Sequence, residues 1–163
     1  MWWSDRRLFL LGGLSALSAC GFAPVYGPGG AANALVGHVG LDAPASRNDQ
    51  LFQQRIEERL GRAEAPRFRL ATIIETDTSG LGTTADGRTT RFRILARAQF
   101  ALRETGSERL ITDGRTIAFT GYSASGSTVA TLAAERDAYA RLMTMLADQV
   151  IDQLLVAAPD LPQ

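Results

Sequence analysis

The chain contains no lysine, and its 163 residues include only one histidine and one cysteine. Catalysis by a nucleophile needs a serine or cysteine paired with a histidine. Cys20 is better explained as a lipidation site and His38 is the sole histidine, so no Ser-His or Cys-His pair can be assembled. A zinc site would need further cysteine or histidine ligands, so we interpret His38 as structural and expect no metal. Gly80-Leu81-Gly82 lacks both the further glycine and the lysine of phosphate-binding loops. We therefore predict a protein that is not an enzyme and needs no cofactor.

The composition is otherwise ordinary, with 45% hydrophobic residues, 21% charged residues and no net charge. These values are typical of one globular domain with one core. All 17 basic residues are arginines, whose planar guanidinium groups can bind carboxylates and phosphates through two hydrogen bonds at once. A GC-rich genome produces the same bias, and the sequence does not choose between these explanations. We expect no nucleic-acid partner.

Long apolar runs are also missing. The N-terminal run, Leu8–Leu17, has about ten residues, too few to span a hydrocarbon core of roughly 30 Å. It follows Arg6 and Arg7 and leads into Leu-Ser-Ala-Cys at residues 17–20, which resembles a bacterial lipobox. We therefore predict a lipoprotein signal peptide at residues 1–19, exported by either the general or the twin-arginine route.

Cys20 is predicted to become the lipidated N-terminus of the mature protein. A lone cysteine in an oxidising compartment is a liability unless it is chemically occupied, and a thioether to lipid occupies it. Two or three acyl chains, palmitate among them, hold a protein firmly on a membrane, because each buried methylene contributes roughly 0.8 kcal/mol. Gly21 replaces the aspartate that retains lipoproteins in the inner membrane of enteric bacteria, which favours the outer membrane. Residues 20–34 are predicted to form a tether rich in glycine and proline.

The first part of the domain predicts one strand and one helix. Residues 35–41 form a short apolar stretch before Pro44, which indicates a first strand. Ser46 and Asp49 match the serine-x-x-acid signal of a helix start. The apolar residues that follow recur every four positions, as in an amphipathic helix, at Phe52, Ile56 and Leu60. Gly61 is predicted to end the helix.

From residue 67 the hydrophobic period changes to 2, which predicts strands with one buried face. One strand runs over residues 67–74, a second over 90–103 and a third over 110–122, and we interpret residues 78–89 as a long mobile loop. In the third strand we expect the main apolar contacts at Ile111, Ile117 and Phe119. Gly114 is predicted to mark a bulge or break in that strand.

Residues 128–157 predict the longest helix. Its apolar stripe comprises Leu132, Tyr139, Met143, Leu146, Val150 and Leu154. The resulting order, β-α-β-β-β-α, predicts an α+β two-layer sandwich over residues 35–158, in which two helices cover one face of a four-stranded mixed sheet. The last three strands should form an antiparallel meander, and the first two should be parallel if they are neighbours.

Arginines concentrate in residues 87–103, which contain no acidic residue. Their spacing places Arg91, Arg93, Arg97 and Arg103 on one strand face, and Arg88 precedes them. Two interpretations stand side by side. The arginines either form a solvated face with cross-strand pairs to Glu75 and Asp77, or they bind an anion. Under the second interpretation the candidate contact residues are Arg88, Arg91, Arg93 and Arg97.

Residues 20–27, Cys-Gly-Phe-Ala-Pro-Val-Tyr-Gly, resemble the Cys-Gly-Phe opening of the lipopolysaccharide-assembly lipoprotein LptE family, with Val25 in place of leucine. The order of elements over residues 35–157 is also similar. The resemblance implies a non-enzymatic lipoprotein, anchored to the periplasmic side of the outer membrane, that sits as a plug in the β-barrel LptD. It implies help in delivering lipopolysaccharide to the cell surface, with the arginines facing either the barrel or lipid A phosphates.

Two other functions compete with this interpretation. A lipoprotein accessory to another envelope lipid transporter would share the signal peptide, the tether and the α+β domain. A periplasmic hydrolase ranks well behind, because no catalytic constellation emerges. A stable complex with a large outer-membrane barrel is expected only for the first interpretation.

Overall fold

The computed structural model describes residue 27, residues 30–83 and residues 87–161. The predicted signal peptide and Cys20 lie outside these residues. The chain divides into two compact units, and the second, Ala31–Gln163, carries the fold. Its strands and helices are β1 (Val39–Leu41), α1 (Arg47–Leu60), β2 (Phe68–Thr83), β3 (Thr89–Glu104), β4 (Leu110–Ser123) and α2 (Thr128–Ala157). Short 3-10 turns at Ala31–Ala34 and Ala158–Asp160 flank them.

Helix α1 begins and ends where the sequence signals predict. The backbone N–H of Asp49 donates to the Ser46 hydroxyl at 3.1 Å, which satisfies one amide of the first turn. Phe52, Ile56 and Leu60 are fully buried or nearly so. Gly61 follows with φ +74°, a conformation that costs glycine little. Local sequence therefore determines this element.

The four strands form one sheet in the order β1-β2-β3-β4. β1 pairs with β2 in parallel, and the other two pairings are antiparallel. This arrangement confirms the predicted α+β class and mixed sheet. β1 is shorter than predicted, because the chain turns before it: the Leu35 N–H donates to the Ala32 carbonyl, and Gly37, at φ +72°, donates to the Leu60 carbonyl at 2.7 Å.

The interpretation of residues 78–89 as a loop is wrong for residues 78–83 and for Thr89, which belong to strands. β2 runs on to Thr83 and β3 begins at Thr89, with Thr78 opposite Ile94 and Gly80 opposite Phe92. The register shifts on either side of Gly82, so the glycines mark irregular pairing within the hairpin instead of its end. The sequence pattern misses this part of β2 because glycine and threonine produce no alternation of apolar and polar residues. The strand forms nevertheless, since its backbone hydrogen bonds to β3 do not depend on side chains.

The core lies between the helices and one face of the sheet. β3 contributes its even-numbered residues from Ile94 to Leu102, all buried. Helix α2 packs chiefly on β4 and on α1, and to a lesser extent on β3. Four residues of the predicted α2 stripe are buried: Met143, Leu146, Val150 and Leu154. Leu132 is 46% exposed, since the buried part of α2 starts only at Ala138. The stripe prediction therefore extends too far toward the N-terminus.

In β4 the predicted core contact of Ile111 is confirmed, because Ile111 is partly buried against the core, whereas Ile117 and Phe119 lie on the opposite face from the predicted one. Ile117 and Phe119 are 58% and 68% exposed, whereas Thr116 and Ala118 are buried beneath α2. The register explains this, because Ala96 pairs with Ala118 on the covered side of the sheet.

The predicted bulge at Gly114 is absent, and the register shift near it falls between Leu102 and Arg103. A Cβ at Gly114 would lie 2.8 Å from the ring of Phe100 and would also meet Gln153 of α2. The ring of Phe100 and the side chain of Gln153 thus occupy the space that a side chain at residue 114 would need.

Two isoleucines provide a matched test of these faces. Ile94→Asp should lower the free energy of unfolding by at least about 3 kcal/mol, because it buries an unpaired carboxylate, while Ile117→Asp should change it by less than about 0.5 kcal/mol. Chemical denaturation of both variants measures the difference. Similar losses of stability in the two variants would show that the faces are misassigned.

Candidate functional site

The face of the sheet opposite the helices, called here the open face, is formed by odd-numbered residues of β2, β3 and β4. No helix among the described residues packs on it. Its central residues are Ile73, Glu75 and Asp77 on β2, Leu95, Arg97 and Gln99 on β3, and Arg115, Ile117 and Phe119 on β4. These residues share a face because side chains alternate along each strand, and the pairing of the three strands brings them together although they are distant in sequence.

The structure brings three of the four candidate arginines together on the open face. Arg91, Arg93 and Arg97 are exposed and follow one another along β3. Arg88, also exposed, precedes β3 near the hairpin tip. The predicted fourth member of the strand face, Arg103, is half-buried and donates to the Glu108 carbonyl at 3.1 Å. The candidate arginines of β3 thus lie between the middle of the open face and the hairpin tip.

The predicted cross-strand pairs to Glu75 and Asp77 do not form. The register places Glu75 opposite Arg97 and Asp77 opposite Leu95. Yet none of the ion pairs within the described residues includes Arg91, Arg93 or Arg97. Within the part of the chain that the structure describes, no carboxylate contacts these three guanidinium groups.

Three other arginines are paired with carboxylates. Arg55 and Arg59 of α1 both contact Asp148 of α2, at 2.9 and 3.2 Å, and Arg69 contacts Asp42 at 2.8 Å. Hydrogen bonds to these carboxylates raise the pKa of Arg55 and of Arg69. These ion pairs join elements of the fold, whereas no carboxylate among the described residues contacts the three candidate arginines of β3.

Sequence reasoning missed the apolar residues of the open face and one of its arginines. Ile73, Ile117 and Phe119 are each more than half exposed, although the last two were expected in the core. Arg115 lies opposite Gln99, which pairs on its other side with Ile73. The signal for Arg115 was its odd position on β4, which becomes informative only once the register with β3 is known.

A shallow cavity of about 520 Å³ crosses the open face. Ala71 and Ala101, which face each other across β2 and β3, are its smallest lining side chains. Ile73, Arg103 and Arg115 are among its other lining residues. The cavity arises because the short side chains of these two alanines lie between longer side chains on either side. Its mixture of apolar and charged groups suits an amphipathic ligand or protein segment.

On the covered face, an aromatic group lies near the hairpin end of the sheet. The rings of Phe92 and Tyr122 stack with centroids 5.2 Å apart, and the hydroxyls of Tyr139 and Thr78 lie 3.3 Å apart. Burial raises the pKa of Tyr122, with smaller contributions from Glu135 and Tyr139. We interpret this group as packing that closes the core.

His38 and the remaining acidic residues suggest no catalytic or metal site. The Nδ1 atom of His38 is buried without a hydrogen-bond partner, and its backbone carbonyl accepts from the N–H groups of Arg67 and Phe68. Over residues 30–83 and 87–161, no group of three or more His, Cys, Asp and Glu side chains could hold a metal ion. The helices of this part of the chain are also too short or too polar to cross a membrane.

Several solved structures share this fold. A putative lipoprotein from Caulobacter crescentus superposes with a TM-score of 0.66 at 16% identity, covering 78% of this chain and 96% of that chain. Rare lipoprotein B from Shewanella oneidensis gives 0.58 at 10% identity, covering 76% and 96%. A minor lipoprotein from Acinetobacter baumannii gives 0.52 at 16% identity, covering 77% and 92%. At these identities the likeness concerns the fold alone. No curated protein sequence matches the chain.

The fold and the open face define a class of small two-layer α+β domains in which two helices cover one face of a four-stranded mixed sheet. Residues 37–154 match the family model described as LptE, lipopolysaccharide-assembly. The chain belongs to this family, and the predicted family is confirmed, although residues 20–27 lie outside the matched range.

Proposed function

We propose that this protein is a lipid-anchored outer-membrane lipoprotein that forms a complex with the β-barrel LptD and assists lipopolysaccharide assembly. The observation that carries the proposal is the match of residues 37–154 to the lipopolysaccharide-assembly family. Cys20 would bear the lipid that holds the domain on the periplasmic side of the membrane. The protein acts by binding and not by catalysis.

The open face supports this proposal through its chemistry. A wide outer-membrane barrel has a polar lumen that a compact domain can fill. Arg91, Arg93 and Arg97 offer charge-assisted hydrogen bonds to carboxylates of such a lumen or to phosphates of lipopolysaccharide. Ile117 and Phe119, exposed beside them, offer apolar contact. A partner that presents acidic and apolar groups together would match both.

Copurification tests the complex. The full-length protein and LptD, produced together and extracted in detergent, should elute as one stable complex. An absence of any complex, with both proteins folded, would contradict the proposal and favour an accessory role with another envelope transporter.

Replacing Arg91, Arg93 and Arg97 together by alanine should weaken binding to lipopolysaccharide or to LptD by roughly tenfold or more, because each charge-assisted contact contributes about 1.5–3 kcal/mol. The melting temperature should stay near that of the unchanged protein, since no ion pair is lost. Binding assays at two salt concentrations measure the effect, and salt should weaken any phosphate contact.

The matched control replaces three arginines outside the open face, Arg47, Arg62 and Arg136, and so removes the same charge. If both triple variants bind equally, or if the open-face variant binds normally, the arginines form only a solvated surface.

Cys20→Ala should abolish lipidation and leave a protein that is uncleaved or soluble in the periplasm, with its domain folded. The anchor and the core are separate parts of the chain, so the loss of one leaves the other intact. Incorporation of labelled fatty acid and the thermal stability of the domain are the two measurements. Label incorporated by the alanine variant would refute lipidation at Cys20.

A further inference from the structure

β4 is the last strand of the sheet, and its outer edge is unpaired among the described residues. The N–H of Ala124 donates to the Thr90 carbonyl, so even-numbered residues of β4 direct their backbone groups toward β3. Odd-numbered residues therefore direct theirs outward. Gln153 is consistent with this geometry, since its side-chain amide donates to the outward carbonyl of Arg115 at 3.4 Å. The next outward groups belong to Ile117, Phe119 and Gly121.

This edge lacks the devices that normally protect an exposed strand. Residues 116–123, Thr-Ile-Ala-Phe-Thr-Gly-Tyr-Ser, include no charged residue and no proline. Their pairing with β3 is regular, without a bulge. An uncharged, regular edge of this length is a template for another strand, and folded proteins usually block it.

The opposite side of the sheet is blocked in the usual ways. β1 has only three residues and Pro44 follows it closely. Beyond β1, β2 carries Glu75 and Asp77, and its pairing is irregular around Gly82. The two edges of the sheet therefore differ, and the β4 edge is the one that remains able to pair with another strand.

Charge indicates what kind of strand fits there. Ile117 lies opposite Arg97 and Gly121 lies opposite Arg93, so positive side chains stand one strand inward from the edge. An added strand with acidic residues among apolar ones could reach these guanidinium groups and also pack on Ile117 and Phe119. A second copy of this chain would instead bring further arginines of the same kind to this face, and like charges would oppose the pairing.

We infer that the β4 edge, at residues 116–123, accepts an extended segment of a partner protein by strand addition, and that the segment carries acidic and aliphatic residues. Backbone hydrogen bonds at Ile117, Phe119 and Gly121 would supply register, and the neighbouring side chains would supply specificity. The inference rests on the proposed function for the identity of the partner, which is then a segment of LptD.

Hydrogen exchange, resolved residue by residue on the full-length protein alone and in complex with LptD, tests the pairing directly. The outward amides of Ile117, Phe119 and Gly121 should exchange quickly in the free protein and at least about tenfold more slowly in the complex. The inward amides of Ala118 and Thr120 should be protected in both. Docking through side chains alone would leave the outward amides unprotected and would overturn the inference.

A pair of lysine variants provides the second readout. Ile117→Lys adds a charge at the edge and should weaken the complex by at least about tenfold, since a charged residue at such an edge blocks strand addition. Leu132→Lys is the control, because Leu132 is also an exposed apolar residue, at 46% against 58%, but lies on α2 outside the open face. It should weaken binding by less than about threefold. Equal weakening would mean that an added positive charge weakens the complex wherever it stands, and would overturn the inference.

The remaining outcomes separate this inference from the proposed function. A normal complex with unprotected outward amides overturns strand addition alone. The absence of a complex with LptD overturns both statements. Protection of the same amides in the isolated protein, rising with its concentration, would assign the edge to a second copy and overturn the choice of a partner segment.

Discussion

The rest of this structure depends on one constraint, the close packing of α2 on small side chains of β3 and β4. β3 and β4 place Ala96, Ala98, Thr116 and Ala118 beneath the helix, all buried. Gly114 belongs to the same set of small residues, because the ring of Phe100 and the side chain of Gln153 leave no room for a Cβ there. Small residues let a helix approach a sheet closely, and the larger residues of α2 then fill the space.

This constraint also produces the open face. With one face of β4 given to small residues, its larger apolar side chains, Ile117 and Phe119, project to the other side. Both helices lie on the covered side and share its core, where Asp148 joins Arg55 and Arg59 across the two helices. The covered face of the sheet therefore packs in the core and stabilises the domain, whereas the open face exposes apolar and basic side chains.

The sequence predicts the elements with strong local signals and misses those set by long-range pairing. The bounds of α1 are predicted correctly, because Ser46 and Gly61 act within one turn of the helix ends. Ile117 and Phe119 are wrongly expected in the core because they are more hydrophobic than their neighbours Thr116, Ala118 and Thr120. Their true face depends on the volume available beneath α2, which appears only in three dimensions.

The candidate site was predictable only in part. The alternation of arginines in residues 87–103 is sufficient to predict a basic strand face. Three features depend on the register between strands. These are the absence of ion pairs at Arg91, Arg93 and Arg97 among the described residues, the place of Arg115, and the edge of β4 that no described strand covers. Residue spacing within a single strand carries no information on register.

Hydroxyl-radical footprinting of the protein, free and in complex with LptD, tests the central claim that the covered face holds the fold and the open face binds the partner. The account predicts that Phe119 and Ile73 are labelled in the free protein and protected in the complex. Met143, which is fully buried, should remain unlabelled in both. Protection of Phe119 in the free protein would contradict this claim. So would a Phe119 that stays equally labelled in the complex while Leu132 of α2 loses its label.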